Sequence, residues 1–212
     1  PRINQLAKEG QCGTADPVNP GIVASTVSGT LATLGYDPLE HSVARGIVEA
    51  LGCGIKINIG DVAFRANWAT LDEKCLIVDR RAGRIREGIN ELASSITGQK
   101  IDNVRIDVAA GTEHRIAVVM RGSGLQDCVS GSDPGDQFHS GINPKLIKPL
   151  NKNNPKCLRT AELLNRFEFK AREILAKHPI TLLKNRKGLL EGKKPRIKRL
   201  LKNQDLPNLH LI

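Results

Sequence analysis

The spacing of apolar residues predicts an antiparallel sheet in the middle of the chain. Apolar and polar positions alternate in four segments between residues 55 and 120, as is typical of half-buried strands. The alternating apolar positions are Ile55, Ile57 and Ile59; Val62 and Phe64; Val104, Ile106 and Val108; and Ile116 and Val118. One helix interrupts the strands, with apolar residues at helical spacing before Gly98: Ile85, Ile89, Leu92 and Ile96. The pattern therefore favours an α+β layer in which a helix packs against the sheet.

Further helices are predicted on either side of this layer. Pro38 suits the first position of a helix that ends at Gly52. Thr160 suits the N-cap of a later helix, which Pro179 ends. Residues 11–35 contain mainly small residues and turn formers, so we expect a loop there.

Composition places the chain among globular proteins, with 40% apolar and 25% charged residues. No apolar run approaches the roughly 18 residues of a membrane span, and no basic-then-apolar leader opens the chain. We therefore expect a soluble, non-secreted, cytoplasmic protein without a membrane partner. Because Pro1 stands where an initiator Met would be, we also expect the sequence to be a fragment or a processed product.

The net charge of +10 is unevenly distributed. Residues 1–140 carry a net charge of −3, whereas residues 141–212 carry +13. A basic tail of this kind can bind nucleic acid or can be an ordinary solvated surface. The five cysteines are odd in number, widely spaced and never in a C-x-x-C pair, which argues against a disulfide framework and against a zinc module. We expect a reducing compartment.

The strongest candidate for an anion site is the run Asp79-Arg80-Arg81-Ala82-Gly83-Arg84. It follows a predicted strand and is expected to begin the helix through Ile85, where free N–H groups and guanidinium forks would together bind phosphate or carboxylate. The alternative is that these arginines form surface ion pairs with nearby acidic residues.

Two further pairs of residues could join that site. Strand alternation places Arg65 and Asn67 together on one face, where they could bind an acidic substrate or simply face water. His114 and Arg115 follow a glycine turn at a strand edge, where the histidine could contact an anion or have a structural role. No local spacing assembles a metal site from the histidines.

Several motifs, in their order, resemble the archaeal-type, cofactor-independent phosphoglycerate mutases of the alkaline phosphatase superfamily. The resemblance covers about residues 1–180. It is carried by Leu34-Gly35-Tyr36-Asp37-Pro38, Arg45-Gly46, Gly60-Asp61-Val62-Ala63-Phe64-Arg65-Ala66-Asn67-Trp68-Ala69-Thr70, Asp79-Arg80-Arg81-Ala82-Gly83-Arg84-Ile85, and Gly111-Thr112 to Arg115 with Arg121-Gly122.

The resemblance implies an isomerase of glycolysis and gluconeogenesis. Such enzymes interconvert 3-phosphoglycerate and 2-phosphoglycerate through a phosphoenzyme, and they use two divalent metal ions (Mn, Mg or Zn). It also implies a set of residues that bind phosphoglycerate, all on the inserted lobe: Arg65, Asn67, Asp79, Arg80, Arg81, Arg84, His114, Arg115 and Arg121.

The chain departs from the family pattern at the nucleophile loop. Thr26 stands at the position of the serine nucleophile, and Val27 stands where the family has a metal-binding Asp. Residues 129–135 lack an Asp and a His of the corresponding family segment, and the family's C-terminal metal ligands have no counterpart after about Ile180. We therefore predict that the metal ions are not retained and that the chain is an incomplete or inactivated member.

The predicted fold class is α/β: an incomplete alkaline phosphatase-like lobe bearing an inserted α+β domain. The predicted divisions are residues 1–52 for the partial lobe with its nucleophile loop, 53–125 for the inserted substrate-binding domain, 126–180 for a linker and return helix, and 181–212 for a divergent basic tail. The alternative hypothesis is a non-enzymatic, RNA-associated protein that uses the tail.

Overall fold

Helices and strands follow one another along the chain in the computed structural model, which describes residues 2–72, 74–135, 141–181 and 206–211. The α-helices are α1 (Arg2–Glu9), α2 (Thr26–Thr33), α3 (Arg45–Gly52), α4 (Ile89–Ile96) and α5 (Pro155–Ala176). The strands are β1 (Val62–Leu71), β2 (Ile77–Asp79), β3 (Gln99–Ile101), β4 (Val104–Ala110), β5 (Arg115–Arg121) and β6 (Leu206–Leu211), and a 3-10 turn spans Ala82–Arg84. The chain divides into two compact units, Pro1–Ala44 and Arg45–Ile212.

The first unit contains α1 and α2, which bury none of their own residues. The prediction of a loop throughout residues 11–35 is wrong, because α2 begins at Thr26. A reciprocal capping box starts this helix: the Ser28 N–H donates to Ser25 Oγ at 3.0 Å, and the Ser25 N–H donates to Ser28 Oγ at 2.8 Å. Two hydroxyls thus satisfy the first N–H groups of a helix whose composition alone suggests a loop.

The second unit is built on an antiparallel sheet in the order β2-β1-β5-β4-β3, and β6 also pairs with β1. β1 pairs with β5 from Val62 opposite Met120 to Asn67 opposite Arg115. Its main core contains Trp68, Ile106, Val118 and Met120 of the sheet together with apolar residues of α4 and α5. The predicted strands through Val62, Val104 and Ile116 are confirmed, and the mixed α/β class with an antiparallel sheet is confirmed with them.

The opposite face of the sheet carries α3. A smaller cluster there contains Ala50 of α3 with Ala63, Ala117 and Val119 of β1 and β5. Helix and sheet lie close together at Gly46, where an added Cβ would be only 2.0 Å from the carbonyl oxygen of Ala63. A glycine at this position therefore fixes α3 against β1 at a distance that no other residue permits.

The predicted start of this helix at Pro38 is wrong. Asp37 instead begins a turn, because its carboxylate accepts the Leu39 N–H at 2.8 Å and its carbonyl accepts the His41 N–H at 2.9 Å. Such a side-chain bond to the backbone competes with helix formation, and α3 starts only at Arg45.

The predicted strand from Ile55 to Ile59 is also absent from the sheet. Its backbone groups are bound by side chains instead: Asp61 accepts the Asn58 N–H, and Arg121 donates to the Lys56 carbonyl. Ile55 and Ile57 still pack against the smaller cluster, whereas Ile59 is fully exposed. Alternation here thus reflects a packed loop rather than a strand.

The long helix α5 begins earlier than predicted. Asn154 is its N-cap, accepting the Lys156 N–H at 2.9 Å, and Pro155 occupies the first position. Thr160 lies inside the helix and is fully buried, where its hydroxyl donates to the Lys156 carbonyl. The predicted N-cap is therefore wrong.

A disulfide joins Cys128 to Cys157 of α5, with the two Cα atoms 5.3 Å apart. The bond is contrary to the expectation that the number and spacing of the cysteines argue against a disulfide framework. The residues are 29 positions apart in sequence, but the intervening segment returns to α5 and brings them together. Cys12, Cys53 and Cys75 are free.

The observed division after Ala44 lies eight residues before the predicted one, and the predicted division stays a prediction. No helix in the described ranges is both long enough and apolar enough to cross a bilayer.

Candidate anion-binding site

β1 places Arg65 and Asn67 on the face of the sheet that α3 covers. Their neighbours Phe64, Ala66 and Trp68 point into the main core on the other side. The Arg65 side chain is only 10% exposed and Asn67 only 3%, so neither simply faces water. Burial of a guanidinium and an amide at adjacent same-face positions requires polar partners.

Most of those partners are missing from the described part of the chain. Among the described residues, eight buried side-chain nitrogen and oxygen atoms lack a hydrogen-bond partner, and five of them lie on Arg65, Asn67, Trp68 and His114. On the α3 side they include Nε and Nη1 of Arg65 and Oδ1 of Asn67. Unsatisfied groups are rare in folded proteins, so these three atoms on adjacent same-face positions of β1 make this face a candidate ligand site.

His114 and Arg115 join the same end of β1. Arg115 lies directly opposite Asn67 in the strand register, and the His114 carbonyl accepts the Trp68 N–H at 2.7 Å. Burial lowers the pKa of His114, and the positive charges of Arg81, Arg115 and Arg65 lower it further. The imidazole is therefore neutral near pH 7 and can both donate and accept a hydrogen bond.

The effect of neighbouring charges on the pKa of Arg65 shows which other arginines lie close to it. Burial lowers the pKa of Arg65, and the nearby charges of Arg45 and Arg115 lower it further, with Glu49 and Asp133 opposing them. Arg65 nonetheless stays protonated, as arginine does in proteins. Several like charges held close together are costly unless an anion binds among them.

The loop after β2 brings Arg81 to this group. The Asp79 carboxylate accepts the N–H groups of Arg81 at 2.8 Å and Gly83 at 2.6 Å, which closes a tight turn. Ala82 and Arg84 adopt left-handed φ values of 44° and 54° on either side of Gly83. Strain of this kind persists where the surrounding structure fixes it, and it is concentrated at functional sites. Asp79 thus positions the arginine loop.

The predicted helix N-terminus does not lie at the arginine run. α4 begins only at Ile89, after Gly88, and the run forms the 3-10 turn instead. The candidate anion site therefore has guanidinium groups but no contribution from the α4 dipole.

The side chains of Arg80 and Arg84 have different carboxylate neighbours, Asp133 and Glu113. Arg80 forms a bidentate ion pair with Asp133. Arg84 is exposed and lies near Glu113, whose pKa is lowered by a hydrogen bond from Arg86 and further by the charge of Arg84. In place of the surface pairs with nearby acidic residues that were expected as an alternative, Arg80 thus has a buried partner 53 positions away in sequence.

Arg121 is not brought to the site. It lies at the far end of β5 from Arg115, and its donors contact Asp61, Asp107 and the Lys56 carbonyl at 2.5, 2.7 and 2.7 Å. These contacts hold the loop before β1 against the end of the sheet. Its predicted contact with substrate stays a prediction.

Thr26, at the predicted nucleophile position, is the exposed first residue of α2 in the other unit. Ser25 and Ser28, the hydroxyl residues beside it, are engaged in the capping box. No cluster of three or more His, Cys, Asp or Glu side chains occurs within the described ranges. Neither Thr26 nor the capping hydroxyls of Ser25 and Ser28 supplies the carboxylate ligands that a two-metal centre needs, so these residues do not fit one.

Sequence reasoning did not single out Glu49, Asp133 or the role of Arg45. Arg45 and Glu49 are four residues apart and so share one face of α3. That spacing is the only sequence signal that the two residues act together, because both interact with Arg65 on β1, which is distant in sequence.

Comparison with known proteins decides the family. A family model for 2,3-bisphosphoglycerate-independent phosphoglycerate mutase matches residues 7–181. The chain belongs to this mutase family. The resemblance found in its motifs is thereby confirmed.

Curated mutases of archaea align along nearly the whole chain. The mutase of Picrophilus torridus is 43% identical over 190 residues, covering 90% of this chain and 45% of its own length. That of Thermoplasma volcanium is 38% identical over 208 residues, covering 98% and 49%. The chain thus spans about half the length of the curated mutases it matches.

A solved structure agrees with the family. The cofactor-independent phosphoglycerate mutase from Thermoplasma acidophilum superposes with a TM-score of 0.68 at 34% identity, covering 89% of this chain and 46% of that one. The mutase fold is therefore shared over most of the chain.

Proposed function

We propose that this chain carries the phosphoglycerate-binding part of an isomerase that interconverts 3-phosphoglycerate and 2-phosphoglycerate. The observation that carries the proposal is the buried guanidinium of Arg65, whose Nε and Nη1 have no hydrogen-bond partner among the described residues. Membership of the mutase family supports the identity of the ligand.

The surrounding groups suit a small phosphorylated acid. Guanidinium forks bind phosphoryl or carboxylate oxygens in pairs, which suits Arg65, Arg81 and Arg115. Asn67 Oδ1, buried and unpartnered in the described chain, can accept a hydrogen bond from a substrate hydroxyl. A neutral His114 can contact either the hydroxyl or the phosphoryl group without adding to the positive charge.

Catalysis needs more than this site. By the resemblance, Thr26 stands at the position of the family's serine nucleophile, and Val27, whose side chain has no ligand atom, stands where the family has a metal-binding Asp. We therefore propose that the chain alone binds phosphoglycerate but does not isomerise it. Cytoplasmic location is proposed from the glycolytic role of the family.

The RNA-binding alternative has no support in the comparisons. The basic tail on which it depends, residues 181–212, lies outside the described residues except for Thr181 and the β6 strand.

Isothermal titration calorimetry with 3-phosphoglycerate tests the binding proposal. Arg65→Met and Arg81→Ala should each weaken binding by about 1.5 to 3 kcal/mol, roughly 10- to 150-fold, because each removes charged hydrogen bonds. Arg166→Met is the matched control, since Arg166 pairs with Asp102 and Glu162 on an exposed surface. Equal affinity in all three variants would remove the site assignment.

Phosphorus NMR of the chain with 3-phosphoglycerate tests the catalytic part separately. We expect no 2-phosphoglycerate signal from the chain alone. Steady conversion that Thr26→Ala abolishes would show that the chain is active and would overturn that part of the proposal.

A further inference from the structure

The carboxylate of Glu49 has a fixed position beside Arg65. α3 is fixed against β1 by the close contact of Gly46 with Ala63, and Glu49 lies one turn further along the helix. Glu49 Oε2 lies 4.0 Å from Arg65 Nε, and Oε1 would be 3.3 Å from a Cβ at Gly111. The carboxylate therefore lies between β1 and the turn that leads to His114.

Glu49 interacts with Arg65 through charge alone and accepts no hydrogen bond from Nε of the guanidinium group. At 4.0 Å the pair is too long for a hydrogen bond, and Nε and Nη1 of Arg65 remain unpartnered in the described chain. The Arg80–Asp133 pair differs, because there Nε and Nη2 donate at 2.7 and 2.6 Å. Glu49 thus lowers the net charge of the site while leaving Arg65 able to bind a ligand.

We propose that Glu49 determines ligand specificity: its fixed negative charge limits the anionic charge that the site accepts and favours a phosphomonoester over a ligand with two phosphoryl groups. The inference rests on the proposed function.

The physical reason is electrostatic. Glu49 and Arg65 are only 19% and 10% exposed, so water screens the carboxylate weakly and a ligand at Arg65 interacts with it strongly. A second phosphoryl group adds about 1.5 to 2 negative charges near neutral pH. Each added charge is repelled by Glu49, so the penalty is larger for the bisphosphorylated ligand.

Calorimetric titration of the wild-type chain and Glu49→Gln with 3-phosphoglycerate and with 2,3-bisphosphoglycerate tests the inference. Removing the charge should tighten bisphosphoglycerate binding about tenfold relative to 3-phosphoglycerate binding. Glu49→Asp keeps the charge and should keep most of the wild-type selectivity. Glu162→Gln removes an exposed carboxylate from α5 and should change neither affinity.

The outcomes distinguish a role of Glu49 in ligand specificity from a purely structural role. A selectivity ratio unchanged in Glu49→Gln, or an equal loss of affinity for both ligands, would overturn the inference while leaving the proposed binding intact. If the wild-type chain binds neither ligand, the proposed function fails and the inference fails with it. Should Glu49→Gln not fold, as judged by circular dichroism, Glu49→Ala serves in the same comparison.

Discussion

Arg80 and Asp133 form a bidentate ion pair in which Nε and Nη2 lie 2.7 and 2.6 Å from the two carboxylate oxygens. Their side chains are only 12% and 8% exposed. Arg80→Met should therefore lower the free energy of unfolding by about 2 to 4 kcal/mol, because it leaves the Asp133 carboxylate buried without its partner. Urea denaturation followed by circular dichroism measures the change.

The control for this prediction is Arg166→Met. Arg166 also contacts a carboxylate with two nitrogens, but its side chain and that of Asp102 are 46% and 51% exposed. Exposed pairs contribute little, so no clear change in stability is expected. Equal destabilisation by both substitutions would show that burial of the Arg80 pair has no special effect.

The Arg65 side chain should lower the free energy of unfolding when no ligand is bound. Its two buried nitrogens lose their hydrogen bonds to water on folding and gain no partner in the described chain. An apolar side chain of similar length avoids this desolvation penalty. Arg65→Met should raise the free energy of unfolding by about 1 kcal/mol while it weakens phosphoglycerate binding. Thermal unfolding gives the first quantity and calorimetry the second. A less stable variant would mean that the Glu49 contact outweighs the unpaired donors.

His114 should make stability depend on pH. Burial lowers its pKa in the folded chain, and neighbouring arginines add to the effect. Between that lowered pKa and about 6.5, the unfolded chain binds more protons, so the free energy of unfolding falls as the pH falls through this window. We expect the urea midpoint to decrease from about pH 7.5 towards pH 5 more steeply in the wild-type chain than in His114→Gln. Parallel pH profiles would show that the imidazole titrates normally in the fold.

Local pattern predicted the parts of the site that lie on one element. Alternation along β1 was enough to place Arg65 and Asn67 on a common face, because the side-chain period of a strand is two. The same rule failed at Ile55–Ile59, where Arg121 and Asp61 bind the backbone from distant positions. Partners such as Glu49 and Asp133 could not be predicted, since their roles arise only when α3 and the segment near residue 133 pack on the sheet.

The Cys128–Cys157 disulfide should stabilise the second unit. It closes a loop of 29 residues, and restricting an unfolded loop of this size is worth about 2 to 4 kcal/mol. A reducing agent should lower the urea midpoint of the wild-type chain accordingly. The variant Cys128→Ser should show the lower midpoint under both conditions and should not respond to reduction. A midpoint insensitive to reduction in the wild-type chain would contradict a stabilising bond.

Gly46 should tolerate no side chain, because α3 and β1 approach so closely there. A Cβ at this position would lie 2.0 Å from the Ala63 carbonyl oxygen and 2.7 Å from the Phe64 nitrogen, and both contacts are with backbone atoms that cannot rotate away. Gly46→Ala should therefore displace α3 and destabilise the chain by about 2 kcal/mol or more.

Gly52→Ala is the matched control, at the other end of the same helix, where a Cβ would meet nothing within 4 Å. It should be neutral or slightly stabilising, because alanine favours helix more than glycine does. Gly46→Ala should also weaken 3-phosphoglycerate binding, since Arg45 and Glu49 move with α3, whereas Gly52→Ala should leave binding unchanged. Equal stability and equal affinity in the two variants would mean that the helix is not held against β1 at Gly46.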